Sequence, residues 1–132
     1  MREIRTVAVL GAGHGGCAAA AVLTLRGFEV RMHSRSEERL APLRDGITAQ
    51  GAYQGTVRPA VLSTDLAEVV PGADLVMLVV PSVSHESYAR ALAPLLDGEQ
   101  VIYLNPGHTG GGLHFAAALR AANGPDAPPL CE

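Results

Sequence analysis

Hydrophobic positions fall into short runs along the chain, separated by breaks rich in glycine, proline or charge. Thr6 to Leu10 is apolar after its first residue. A run without polar alternation predicts a strand buried on both faces, as in a parallel sheet covered by helices. Gly15 to Arg26 is alanine-rich and closes on Gly27, where a helix C-terminal glycine belongs. Phe28 to His33 alternates Phe, Val and Met with charged residues and predicts a second strand. Ser36 opens the segment SEERLAPLRDG. A serine followed closely by glutamate is a helix-start signal, and Gly46 ends the segment. Ile47 to Ser63 holds two short strand-like pieces about a Tyr-Gln-Gly turn. Thr64-Asp65 caps a short helix ending at Pro71-Gly72. Leu75 to Val80 is a continuous apolar run, stopped by Pro81, and predicts the central strand. Ser82 to Leu96 places Tyr88, Leu92 and Leu95 on one buried helix face. Val101 to Leu104 predicts a strand, NPGHTGGG a loop, Leu113 to Ala122 a helix, and Leu130-Cys131 the start of a last strand. This alternation predicts an α/β domain, a doubly wound parallel sheet with right-handed crossovers.

Composition narrows the function classes. The 132 residues make one domain, long enough to bury a core. With 48% hydrophobic and 17% charged residues the chain is globular rather than disordered. A net charge of −3 gives no basic footprint for nucleic acid or anionic lipid. Aromatic content of 4% without tryptophan argues against a base-stacking surface. Cys17 and Cys131 lack metal-ligand spacing and read as reduced thiols, so no metal site is expected. The longest apolar runs fall far short of the roughly 20 residues of a membrane span. Met1 to Leu10 is too short and too charged for a signal peptide. A cytoplasmic protein is the expectation.

Gly11-Ala12-Gly13-His14-Gly15-Gly16 has the pattern G-x-G-x-x-G. It follows a buried strand, opens a helix, and lies in a strand–helix–strand unit of about 30 residues, the context this pattern needs to mean dinucleotide binding. Gly11 permits the tight turn, Gly13 keeps side chain away from a pyrophosphate, and Gly16 lets helix and strand approach. The helix N-terminal amides face the phosphate charge. The architecture is thus a Rossmann fold. His14, inside the cradle, is a candidate to contact phosphate or to face the nicotinamide side.

The second strand ends in His33-Ser34-Arg35, where an NAD site has its ribose-reading acid about 20 residues after the glycines. The first acid is Glu37. Ser34 can hydrogen-bond a 2′-phosphate, Arg35 can pair with it and stack on adenine, and Arg39 lies one helical turn on. The expected cofactor is therefore NADP(H), with NAD as the second choice.

VVPSVSH and LNPGHTGG both lie just past the carboxyl ends of strands, where open α/β sheets bind ligands. Pro81 and Pro106 are candidates for an apolar wall beneath a nicotinamide ring, Val80 is a candidate cofactor contact, and Asn105 offers its amide to the cofactor. The segment from Gly107 to Gly112 reads as a flexible lip. His85 and His108 are candidate acid–base groups, but no residue is assigned a catalytic role.

These pieces resemble the opine (octopine/nopaline) dehydrogenase family, related to glycerol-3-phosphate dehydrogenase and ketopantoate reductase. The resemblance rests on VAVLGAGHGGCAAAAVLTLRGFEVRMHSRS, STDLAEVVPGADLVMLVVPSVSHE and, most specifically, LDGEQVIYLNPGHTGGGLHF. It covers essentially the whole chain as a cofactor domain spanning residues 1–132. The chain departs from the family at His14, where the family often has Asn, and at Ser34, near which it often has an acid. The resemblance implies reductive condensation of an amino acid with an α-keto acid, the imine taking hydride from the reduced nicotinamide. It also implies a second, mostly helical domain carrying a catalytic His–Asp pair and much of the substrate site. A chain closing at Glu132, at the edge of its last strand, is expected to bind cofactor and turn over little substrate. A bare docking face makes a homodimer an alternative state. The competing readings are another reductase of the wider group, acting on a keto acid or phosphorylated ketone, and a free-standing NADP(H)-sensing module.

Overall fold

The computed structural model describes residues 2–126 and 128–132. Its strands are β1 (Thr6–Leu10), β2 (Glu29–His33), β3 (Ile47–Ala49), β4 (Gly55–Val57), β5 (Val61–Ser63), β6 (Leu75–Leu78), β7 (Val101–Leu104) and β8 (Leu130–Cys131). Its α-helices are α1 (His14–Leu25), α2 (Glu37–Leu40), α3 (Leu66–Val69), α4 (His85–Leu92) and α5 (Gly111–Ala121). Six strands form one sheet in the order β5-β2-β1-β6-β7-β8, with every pairing parallel. Strands β3 and β4 form a separate antiparallel hairpin. The doubly wound Rossmann architecture is as the sequence pattern predicts.

The period of two along β1 divides the core. Val7 and Val9 face a layer containing Ala20 and Ala21 of α1, Val30 and Met32 of β2, and Ile47 and Val57 of the hairpin. Ala8 and Leu10 face the opposite layer, with Tyr88 and Leu92 of α4 and Phe115 and Leu119 of α5. Val7, Ala8, Val9 and Leu10 are all fully buried, which is why no polar residue interrupts the run. Each large apolar side chain so buried contributes about 1.5–3 kcal/mol.

Asp74 fixes the register of the central pair. Its carboxylate Oδ2 accepts from the amides of Arg5 and Thr6, each at 2.9 Å, and its own amide donates to the Thr6 carbonyl at 2.9 Å. The carboxyl ends of the strands finish in step. Gly11 N–H donates to His33 O at 2.8 Å, Val79 N–H to Leu10 O at 2.9 Å, and Asn105 N–H to Leu78 O at 2.9 Å. The loops after β1, β2, β6 and β7 therefore emerge along one edge.

Several elements differ from expectation. The stretch from 47 to 63 holds three strands, and the third, β5, joins the main sheet beside β2. The central strand ends at Leu78 rather than Val80. The helix expected over Ser82–Leu96 is a 3-10 turn at Ser82–Ser84 followed by α4, which ends at Leu92. Pro94 accounts for the early end: Ala93 keeps helical angles, but proline has no N–H to donate to the Arg90 carbonyl, so the helical ladder breaks there. The helix after Ser36 is one α-turn continued by a 3-10 turn over Ala41–Asp45, with Pro42 near its start. Helix α5 takes in Gly111 and Gly112, which were expected in the loop. No helix among the described residues is long and apolar enough to cross a membrane.

Candidate functional site: a dinucleotide cradle

The cradle is built where β1 passes into α1. Gly11 adopts φ +117°, and a β-carbon there would overlap the Val79 carbonyl oxygen. A β-carbon on Gly16 would overlap the Gly11 carbonyl oxygen. Both glycines are thus demanded by packing within the chain. Gly13 is different. Its φ of −79° suits any residue, and the nearest atom to an added β-carbon is Arg39 Nη1 at 3.8 Å. The space above Gly13 is left open by the protein, as close approach of a ligand backbone requires.

The helix above this space lacks an anion of its own. The first helical bond runs from Cys17 N–H to Gly13 O, so the amides of His14, Gly15 and Gly16 have no acceptor within α1. Gly13 offers no side-chain cap, and the first turn holds no acidic residue. Twelve residues of aligned peptide dipoles therefore end in bare donors.

A groove of about 380 Å³ runs from the cradle across the ends of β2 and β6. Of the expected site residues, Gly11, Ala12, Gly13, Ser34, Arg35, Arg39, Val80 and Pro81 line it. His14 and Gly15 are exposed at the head of α1, and Gly16 is buried beneath it. Asn105 and Pro106, joined by a cis peptide bond, lie past the end of β7 and line neither this groove nor the next cleft. The groove also takes in Ser36, Val79, Ser84 and Tyr88, none of them among the expected site residues. Tyr88 stands out from the sequence only as one apolar position on a helix face.

Among the described residues no carboxylate lines the groove. Ser34 is buried; its Oγ accepts from Ser36 N–H at 3.2 Å, which leaves the hydroxyl proton free to donate. Neither Arg35 nor Arg39 forms an ion pair among the described residues, whereas nearby Arg44 is paired with Glu37 at 2.7 Å. Two uncompensated guanidinium groups thus flank a bare helix N-terminus. The residues present fit a dinucleotide's pyrophosphate and a further anionic group beside it.

A second cleft, about 330 Å³, opens beyond β6 and β7 and is bordered by Ser82, His85, His108, Thr109 and His114. His85 is 1% exposed and packs edge-to-face on Phe115, with ring centroids 6.4 Å apart. Its Nε2 has no hydrogen-bond partner among the described residues. Burial, reinforced by His108 and His114, holds it below its ordinary value and outweighs the opposing pull of the Val80 backbone. Its charged form is thereby disfavoured. Val83 and Leu113 stand 90% and 81% exposed nearby. Among the described residues no cluster of ligating side chains can hold a metal ion.

Comparisons agree with this geometry. Residues 6–116 match the family described as NAD-dependent glycerol-3-phosphate dehydrogenase N-terminus. The chain is 40% identical over 129 residues to an opine dehydrogenase of Arthrobacter sp. (strain 1C), covering 96% of this chain and 36% of that protein. It is 38% identical over 104 residues to a glycerol-3-phosphate dehydrogenase [NAD(P)+] of Moorella thermoacetica, covering 74% of this chain and 30% of that protein. An octopine dehydrogenase solved with NADH and L-arginine superposes with a TM-score of 0.75 at 27% identity, over 95% of this chain and 33% of that one. The chain thus spans about a third of the length of these relatives. It is an NAD-binding dehydrogenase domain that belongs to the glycerol-3-phosphate dehydrogenase N-terminal family and is related to the opine dehydrogenases.

Proposed function

We propose that this chain binds NADPH in preference to NADH and serves as the cofactor domain of an opine-type dehydrogenase. Joined to a catalytic domain, it would take part in the reductive condensation of an amino acid with an α-keto acid. The observation that carries the cofactor choice is the groove past β2, lined by Ser34, Arg35, Ser36 and Arg39 with no acid among them. A carboxylate here would accept from ribose hydroxyls and repel a 2′-phosphate. Serine and arginine instead donate to that phosphate.

The bound nicotinamide supplies the hydride. The chain's own residues bind and orient the cofactor. The amides at the head of α1 take the pyrophosphate, with Gly13 leaving room. Ser34, Arg35 and Arg39 take the adenosine end. Val80 and Pro81 supply an apolar wall. The choice of an opine-type reaction is supported by Asn105-Pro106-Gly107 followed by Thr109-Gly110-Gly111, and by the Arthrobacter relative.

Calorimetric titration of the chain with NADPH and with NADH, at low and moderate salt, tests the cofactor reading. One charge-assisted hydrogen bond is worth about 1.5–3 kcal/mol, roughly 10- to 150-fold in affinity. NADPH should bind at least about tenfold tighter, with salt narrowing the gap. Equal affinities overturn the preference. The chain alone, given an amino acid and pyruvate, should oxidise almost no NADPH. Appreciable turnover would contradict its role as a cofactor domain only.

A further inference from the structure

A connected set of contacts runs from the edge of the sheet to the groove, and the glycine motif does not account for it. His33, at the end of β2, is 3% exposed. Its Nε2 lies 3.0 Å from the Thr64 carbonyl and its Nδ1 3.3 Å from the Tyr88 hydroxyl. A carbonyl only accepts, so Nε2 carries the proton, and Nδ1 accepts from the Tyr88 O–H. The two rings meet edge-to-face with centroids 5.8 Å apart. On the face of Tyr88 lies the Arg35 guanidinium, its Cζ 4.3 Å from the ring centroid. The preceding residue of α4 completes the hold. Arg35 Nη2 donates to Ser87 Oγ at 2.6 Å, and that hydroxyl donates to the Ser84 carbonyl at 2.9 Å.

This arrangement matters because of what arginine ordinarily costs to use. A long exposed side chain gives up rotamer freedom when a ligand immobilises it, about 0.5–1.5 kcal/mol. Here ring stacking and one hydrogen bond fix the guanidinium in advance. Only one of its five N–H donors is consumed in doing so. Arg35 and Tyr88 also line both the cradle groove and the neighbouring groove by Asp65 and Leu95, so the stacked pair forms the wall between them. The guanidinium is held at the place where the groove ends.

We propose that Ser87 and Tyr88 are positioning residues for cofactor selectivity, holding Arg35 stacked at the end of the groove before the cofactor arrives. The inference rests on the reading that Arg35 meets the 2′-phosphate. In this arrangement Arg35 is the group that meets the phosphate, and Ser87 and Tyr88 act on selectivity through it. It should appear for NADPH and not for NADH.

The test is calorimetric titration of the wild-type chain and of Arg35→Ala, Ser87→Ala, Ser87→Thr, Tyr88→Phe and Arg35→Ala/Ser87→Ala with both cofactors. Ser87→Ala should weaken NADPH about two- to tenfold and leave NADH unchanged within about twofold. Ser87→Thr, which keeps the hydroxyl, should restore NADPH affinity. Tyr88→Phe keeps the ring under Arg35 but loses the tie to His33, and should show a smaller loss of the same kind. In the Arg35→Ala background Ser87→Ala should have no further effect. If Arg35→Ala reduces the preference for NADPH while Ser87→Ala does not, the positioning role is wrong and the 2′-phosphate reading survives. If Ser87→Ala weakens both cofactors alike, Ser87 shapes the groove generally and the proposal is overturned. If Arg35→Ala leaves the NADPH-to-NADH ratio unchanged, both readings fall together.

Discussion

At Gly16 a β-carbon would overlap the Gly11 carbonyl oxygen, whereas at Gly13 it would meet nothing closer than Arg39 at 3.8 Å. Substitution by alanine should separate the two positions. Gly16→Ala forces the α1 backbone away from β1 and should destabilise the chain by several kcal/mol, on the order of a severe overpacking. Gly13→Ala should cost about 1 kcal/mol or less, the usual penalty for alanine at a helix N-cap, yet weaken dinucleotide binding about tenfold or more. Thermal melts and titrations of the two variants check this; a Gly13→Ala chain that binds normally would contradict the open-cradle argument. The motif was legible in the sequence because glycine spacing, a buried strand and a helix start coincide there. Ser34, Arg35 and Arg39 were legible because they occupy the place of an expected acid. Ser87 was not, since it lies 52 positions from the arginine it holds and no spacing rule connects them. His33 and Tyr88 look like ordinary core positions until the topology brings β2 and α4 together.

At the scale of elements, the long apolar runs predicted their strands because burial on both faces leaves no room for polar residues. The three-residue strands were harder to assign. Val61–Ser63 carries too few side chains for alternation to say whether it returns on its neighbour or crosses to the main sheet, and it crosses. Position along the sheet is set partly by polar groups, and Asp74 is the one to test. The amides of Thr6, first, and of Arg5 hold its carboxyl below the ordinary value near 3.8. Asp74→Ala leaves those amides to water and should cost about 1–3 kcal/mol. Because the folded-state value is depressed, this contribution is present above about pH 3.8 and is lost as pH falls through the folded value. Urea denaturation of both proteins should show the gap closing in acid. A gap independent of pH would mean that the carboxylate's charge plays no part.

For the molecule as a whole, two buried imidazoles add to its sensitivity to acid. Burial is the main cause of the lowered values of both His33 and His85. Around His33, Arg35 adds to the lowering, and the Thr64 carbonyl and Asp65 oppose it. Around His85, His108 and His114 add to it and the Val80 backbone opposes it. The unfolded chain therefore takes up protons first. Stability from these two groups is complete above about pH 6.5 and declines as pH falls toward their folded values. The urea midpoint should drop between about pH 7.5 and 5.5, and a constant midpoint would show that both rings accept a proton in place. The groove wall also has an optical consequence. The chain has no tryptophan and three tyrosines, of which Tyr53 is 42% exposed on the far hairpin loop and Tyr88 is 3% exposed beneath Arg35. Near-ultraviolet circular dichroism should therefore carry a strong contribution from an aromatic ring that lines the cofactor groove. Filling that groove can be followed without a label, even by inorganic pyrophosphate, which has no chromophore of its own.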